Sequence, residues 1–115
     1  MVRSIQRDEL RRKMQVSPGR TILIDVRDRE DYEAEHIKGA ISIPAGELSM
    51  RADKNFGKDD EVIVYSGSFE CPASTKAASM LSDQGFINVL DYKGGLKDWN
   101  IAGFMTEGSG KTKAA

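Results

Sequence analysis

A chain of 115 residues is long enough for one domain with its own hydrophobic core and short for two. Seventeen basic residues against eighteen acidic ones leave a formal net charge of −1, so no single-sign field argues for nucleic acid or an anionic membrane as a partner. One cysteine and one histidine exclude an internal disulfide and any zinc site built from four cysteine and histidine ligands, and no metal site is expected.

Met1 to Asp8 is too polar for a signal peptide, and no apolar run approaches the ~20 residues a membrane span needs. A cytoplasmic protein is the expectation. Asp8 to Met14 sets Leu10 and Met14 at i, i+4 spacing among charges, which predicts a short surface helix ended by Ser17-Pro18-Gly19. Thr21 to Val26 is a continuous β-branched and apolar run, the pattern of a strand buried on both faces. Arg29 to Glu35 predicts a short charged helix, Ala40 to Pro44 a brief strand, and Glu47 to Met50 a helical turn. Glu61 to Tyr65 is the second strongly buried strand. A loop of small residues follows, and Ser74 to Gln84 predicts a helix with Ala77, Ala78 and Leu81 on one face and Gly85 as its stop. Phe86 to Leu90 predicts a strand, and Gly94-Gly95 opens a last helix near Trp99. Residues 106–115 read as a flexible polar tail, leaving a domain over residues 1–105.

Alternating strands and helices predict an α/β domain whose parallel sheet is covered on both faces. Ligands of such sheets bind beyond the carboxyl ends of the strands, here after Tyr65 and after Val26. The loop after Tyr65 is Ser66-Gly67-Ser68-Phe69-Glu70-Cys71-Pro72-Ala73, with Ser74 as the expected helix cap. A helix start favours a thiolate over a thiol. Glu70 works against it as a like charge, and no Lys, Arg or His lies within the loop. A lone cysteine can equally be an inert, buried small hydrophobe.

Three segments carry a family likeness. The first is Leu23-Ile24-Asp25-Val26-Arg27 with Glu30-Asp31-Tyr32 and His36-Ile37-Lys38-Gly39-Ala40-Ile41-Ser42-Ile43-Pro44. The second is Val62-Ile63-Val64-Tyr65 with Ser74-Thr75-Lys76-Ala77-Ala78. The third is Val89-Leu90, Gly94-Gly95-Leu96 and Trp99. In this order and spacing the chain, from about Ile5 to Gly103, resembles a single-domain rhodanese-like protein of the sulfurtransferase family. The resemblance implies a five-stranded, mainly parallel sheet with helices on both faces. For active members it implies thiosulfate sulfurtransferase-type activity. A cysteine takes a sulfane sulfur from a small donor such as thiosulfate or a persulfide, then passes it to a thiol or cyanide acceptor, with no cofactor.

In active members of that family the cysteine directly follows the strand, at position 66 here, where this chain has Ser66. The loop is longer than the commonest form, the arginines usual in it are absent, and Cys71 stands near its far end. Two readings stay open. Cys71 acts as the sulfur carrier, with the loop residues 66–74 and Arg27 around the substrate, or the domain is a catalytically silent binding or regulatory module with a protein partner. Ser66 cannot replace the cysteine, since a persulfide needs sulfur. A phosphatase or arsenate-reductase site would need a cysteine opening the loop and an arginine closing it, and neither is present. His36 is expected in packing and hydrogen bonding rather than as a base, and Asp25 with Arg27 as an ion pair.

Overall fold

The computed structural model describes residues 2–17 and 19–110. Pro18 of the expected break and residues 111–115 of the expected tail lie outside them. In chain order the elements are β1 (Val2–Ser4), α1 (Arg7–Val16), β2 (Thr21–Asp25), α2 (Arg29–Ala34), β3 (His36–Ile37), β4 (Ile41–Ser42), α3 (Ala45–Asn55), β5 (Glu61–Tyr65), α4 (Ala73–Asp83), β6 (Asn88–Tyr92), α5 (Gly95–Ile101) and β7 (Thr106–Glu107).

Five strands form one sheet in the order β1-β6-β5-β2-β4, with every neighbouring pair parallel. β5 is central, and its register sets Asp25, Tyr65 and Tyr92 in one row at the carboxyl end. The two apolar runs read as doubly buried strands because they are so. Val62 and Val64 face one core with Leu48 and Ala52 of α3 and Ala77, Ala78 and Leu81 of α4. Ile63 and Tyr65 face the other, with Leu10 of α1 and Leu96 and Trp99 of α5. A parallel strand covered on both faces has no polar side to show.

Several boundaries differ from expectation, each for a local reason. β1 is an edge strand of three residues with one half-buried valine, so it carries no apolar signal; its pairing with β6 holds it in the sheet. The strand expected from Phe86 starts at Asn88, because Phe86 still belongs to the end of α4. Gly85 takes φ +101°, the Phe86 N–H donates to the Leu81 carbonyl at 3.1 Å, and the ring enters the α3–α4 core. The turn expected at Glu47 is a full helix, α3, anchored by Leu48 and Ala52. α4 begins at Ala73, one residue early, and Ser74 is buried inside its first turn instead of capping it. Thr106 and Glu107, expected in a loose tail, pair antiparallel with β3, so the folded part runs past residue 105. Ser109 and Gly110 N–H groups continue the contact by donating to the Glu33 and Ala34 carbonyls at 2.9 Å each.

Candidate active site

The loop between β5 and α4 leaves the sheet at Ser66, which is buried. A turn closes over residues 68–71, where the Cys71 N–H donates to the Ser68 carbonyl at 3.1 Å. This turn doubles the chain back on itself. It brings Cys71 Sγ to 3.2 Å from Ser66 Oγ, although the two residues are five apart in sequence. The sulfur therefore sits one hydrogen bond from the end of the central strand.

α5 supplies the floor of the loop. The Leu96 N–H donates to the Ser66 carbonyl at 3.0 Å, and the Lys97 N–H to the Gly67 carbonyl at 2.9 Å. These are free donors of a helix start, turned onto the loop backbone. The approach requires glycine: Gly95 has φ +68°, and a Cβ there would lie 2.5 Å from the Ser66 carbonyl oxygen.

The Cys71 thiol is held below the ordinary thiol range. The Ser66 hydroxyl is the largest cause, followed by the backbone N–H of Ala73; partial burial opposes them, and the Gly67 N–H adds to the lowering. All three donors stabilise negative charge on sulfur, which raises the population of the nucleophilic thiolate. Cys71 is half-exposed, open to a reagent. Glu70, expected to oppose the thiolate, stands at the loop surface. Its fully exposed carboxyl is lowered by its own backbone N–H, by the Ser68 hydroxyl and by the charge of Lys97. Lys97 of α5 thus acts on Glu70 from outside the loop, with no sequence signal to connect residues 70 and 97.

Of the other expected residues, Phe69 projects from the loop tip and is 70% exposed. Pro72 precedes α4 and is exposed. Thr75 ties the first turn of α4 to the sheet by donating to Asp91 Oδ2 at 2.8 Å. The stem of Arg27 borders the loop, with its Cδ 4.0 Å from where a Cβ on Gly67 would stand. Its guanidinium is engaged elsewhere: Nε lies 3.1 and 3.2 Å from the two oxygens of Asp25, and Nη2 lies 2.8 Å from Asp25 Oδ2 and 2.6 Å from the Glu35 carbonyl. Asp25 is fully buried, so this is the structural ion pair. Tyr65 extends the network by accepting the Ile37 N–H at 3.0 Å, and burial pushes its phenol well above the usual range, with Asp25 adding to the rise. His36 stacks on Tyr32 with ring centroids 3.7 Å apart, and its Nδ1 lies 2.6 Å from the Tyr32 carbonyl. It serves packing and hydrogen bonding, as expected.

Two hollows flank the loop. On one side is a groove of about 360 Å³ lined by Ala45, Cys71, Pro72, Ala73, Lys76, Ala77 and Met80. On the other is a cleft of about 470 Å³ lined by Phe69, Tyr92, Gly94, Asp98 and the start of α1. A larger hollow, about 740 Å³, lies at the opposite end of the sheet beside Thr21 and Glu61. Only the first contains the sulfur.

A model of the rhodanese-like domain family matches residues 6–102. The thiosulfate sulfurtransferase PspE of Escherichia coli is 42% identical over 76 residues, 65% of this chain and 70% of its own. A helix-turn-helix transcriptional regulator of Mycobacterium tuberculosis is 35% identical over 104 residues, 90% of this chain and 44% of that protein. A candidate sulfur carrier protein of Bacillus subtilis, YrkF, is 36% identical over 77 residues, 67% of this chain and 40% of its own. The chain thus spans less than half the length of these last two relatives. Among solved structures, the rhodanese-like domain of an Anabaena protein superposes with TM-score 0.86 at 31% identity, covering 100% of this chain and 87% of that one. The sheet order, the β5–α4 loop and these matches agree: the chain belongs to the rhodanese-like domain family.

Proposed function

We propose that the protein is a sulfurtransferase or sulfane-sulfur carrier working through Cys71. The observation that carries this reading is the 3.2 Å approach of Cys71 Sγ to Ser66 Oγ. It answers the objection of position, because the folded loop returns the sulfur to the end of β5. In the first step the Cys71 thiolate attacks the sulfane sulfur of a small donor. With thiosulfate, the new bond is S–S on Cys71, the donor S–S bond breaks, and sulfite leaves with the electron pair. In the second step a nucleophilic acceptor, a thiolate or cyanide, attacks the outer sulfur. Cys71 leaves as the thiolate, and the product is a persulfide or thiocyanate. The two half-reactions make a ping-pong cycle without a cofactor. The Ser66 hydroxyl and the N–H groups of Gly67 and Ala73 stabilise the thiolate that enters and leaves each half-reaction.

The test is direct. After incubation with thiosulfate or inorganic polysulfide, the intact protein gains the mass of one sulfur, and dithiothreitol or cyanide removes it. Cys71→Ser gains nothing. A wild-type chain that takes up no sulfur from either donor overturns the carrier reading and leaves the silent binding module. That second reading draws on the serine at position 66 and on the exposed Phe69 at the loop tip.

A further inference from the structure

The groove at Cys71 has a chemistry of its own. Its lining is Ala45 at the start of α3 with Pro72, Ala73, Ala77 and Met80 along the start of α4. Lys76 is its one charged side chain. Among the described residues no ion pair is recorded for that ammonium. Arg27, whose stem borders the loop, is committed to Asp25 and the Glu35 carbonyl. A compact dianion such as thiosulfate would meet alkyl groups in this groove and lose hydration for little return. An alkyl chain would gain from every methylene it buries there, and a single anionic group at its end suits the lone ammonium. At about 360 Å³ the groove lies at the small end of ligand pockets.

We propose that this groove binds the sulfur acceptor, and that the acceptor is a small thiol with an apolar chain and one anionic head group held near Lys76. The inference rests on the carrier reading above and names its acceptor class. The acceptor thiolate attacks the outer sulfur of the Cys71 persulfide, the Cys71–sulfur bond breaks, Cys71 departs as the thiolate, and the acceptor leaves as a persulfide. No electron donor beyond the thiol is needed.

The experiment uses ω-mercaptocarboxylates of increasing chain length. Protein loaded with sulfur from inorganic polysulfide is mixed with each thiol, and loss of the added sulfur is followed by mass. The second-order rate is expected to rise about fourfold per methylene, the factor set by burying one CH₂, until the groove is filled. The same series reacting with a free alkyl persulfide serves as the reference. Ala45→Gln flattens the rise. Lys76→Gln lowers the rate for carboxylates relative to mercaptoalcohols of equal length. A flat series in the wild-type protein, with cyanide still removing the sulfur, overturns the acceptor class and leaves the carrier reading standing. A parallel arm does not need persulfide at all. N-alkylmaleimides label the only cysteine, and the labelling rate, referred to free cysteine, is expected to rise with alkyl length. No dependence on length in that arm removes the groove as a binding site even if no sulfur can be loaded.

Discussion

Cys71 Sγ lies 3.2 Å from Oγ of Ser66, the position at which the resemblance implies the nucleophile of active members. Since the Ser66 hydroxyl is the largest cause of the lowered thiol, Ser66→Ala is expected to move the Cys71 titration to higher pH. The sign follows from which form reacts. Only the thiolate attacks, so the alkylation rate climbs about tenfold per pH unit below the midpoint and levels above it. The wild-type plateau therefore begins at lower pH than for an ordinary thiol, and the variant's begins later. A pH–rate profile with iodoacetamide reads both. An unchanged midpoint in Ser66→Ala would mean that the N–H groups of Ala73 and Gly67 suffice. Directly beneath, Tyr65 accepts the Ile37 N–H while buried against Asp25. Tyr65→Phe leaves that N–H without its partner, and about 1–3 kcal/mol of stability is expected to be lost, measurable as a lower urea midpoint with unchanged slope.

At the scale of elements, the loop is shaped from below by α5. Leu96 and Lys97 hold the Ser66 and Gly67 carbonyls, and only glycine at position 95 permits that approach. Gly95→Ala meets two costs, a Cβ against the Ser66 carbonyl oxygen and a side chain at φ +68°. A loss of about 1–3 kcal/mol in thermal or chemical unfolding is expected from the backbone strain, more if the contact cannot relax. Because the displaced group is the first residue of the loop, Cys71 should also lose part of its lowered titration, visible as slower alkylation at neutral pH. A variant that unfolds earlier yet keeps the wild-type pH profile would separate the floor from the thiol. Gly94-Gly95 was legible as a helix opening, whereas its use as a cradle was not. The contact joins residues 66–68 to 95–97, and no periodicity reports pairing across that distance. The same holds for Lys97, whose charge acts on Glu70 across a similar separation in sequence.

Over the whole molecule, what could be read from sequence follows burial. β2 and β5 lie between two helical layers, so their continuous apolar runs declare both strand and parallel sheet. Elements held by pairing rather than by apolar faces left no such mark. β1 has one half-buried side chain, and β7 is two polar residues in a stretch that resembles a tail. Yet the segment through residue 110 closes the structure around α2 and β3. Besides the β3–β7 ladder, the Met105 carbonyl accepts the Lys38 N–H at 3.2 Å, Thr106 Oγ1 donates to Glu35 at 3.1 Å, and the Ser109 and Gly110 N–H groups bind the end of α2. Deleting residues 106–115 strips Ile37 and His36 of their strand partners, and Ile37 is fully buried. The loss of these hydrogen bonds and of the cover over Ile37 is expected to lower the melting temperature of the truncated chain by several degrees. None of the groups that lower the Cys71 thiol belongs to residues 106–115, so the truncated chain should keep that titration at temperatures where it is folded. A truncated chain that melts with the full one would return residues 106–110 to the status of a dispensable tail.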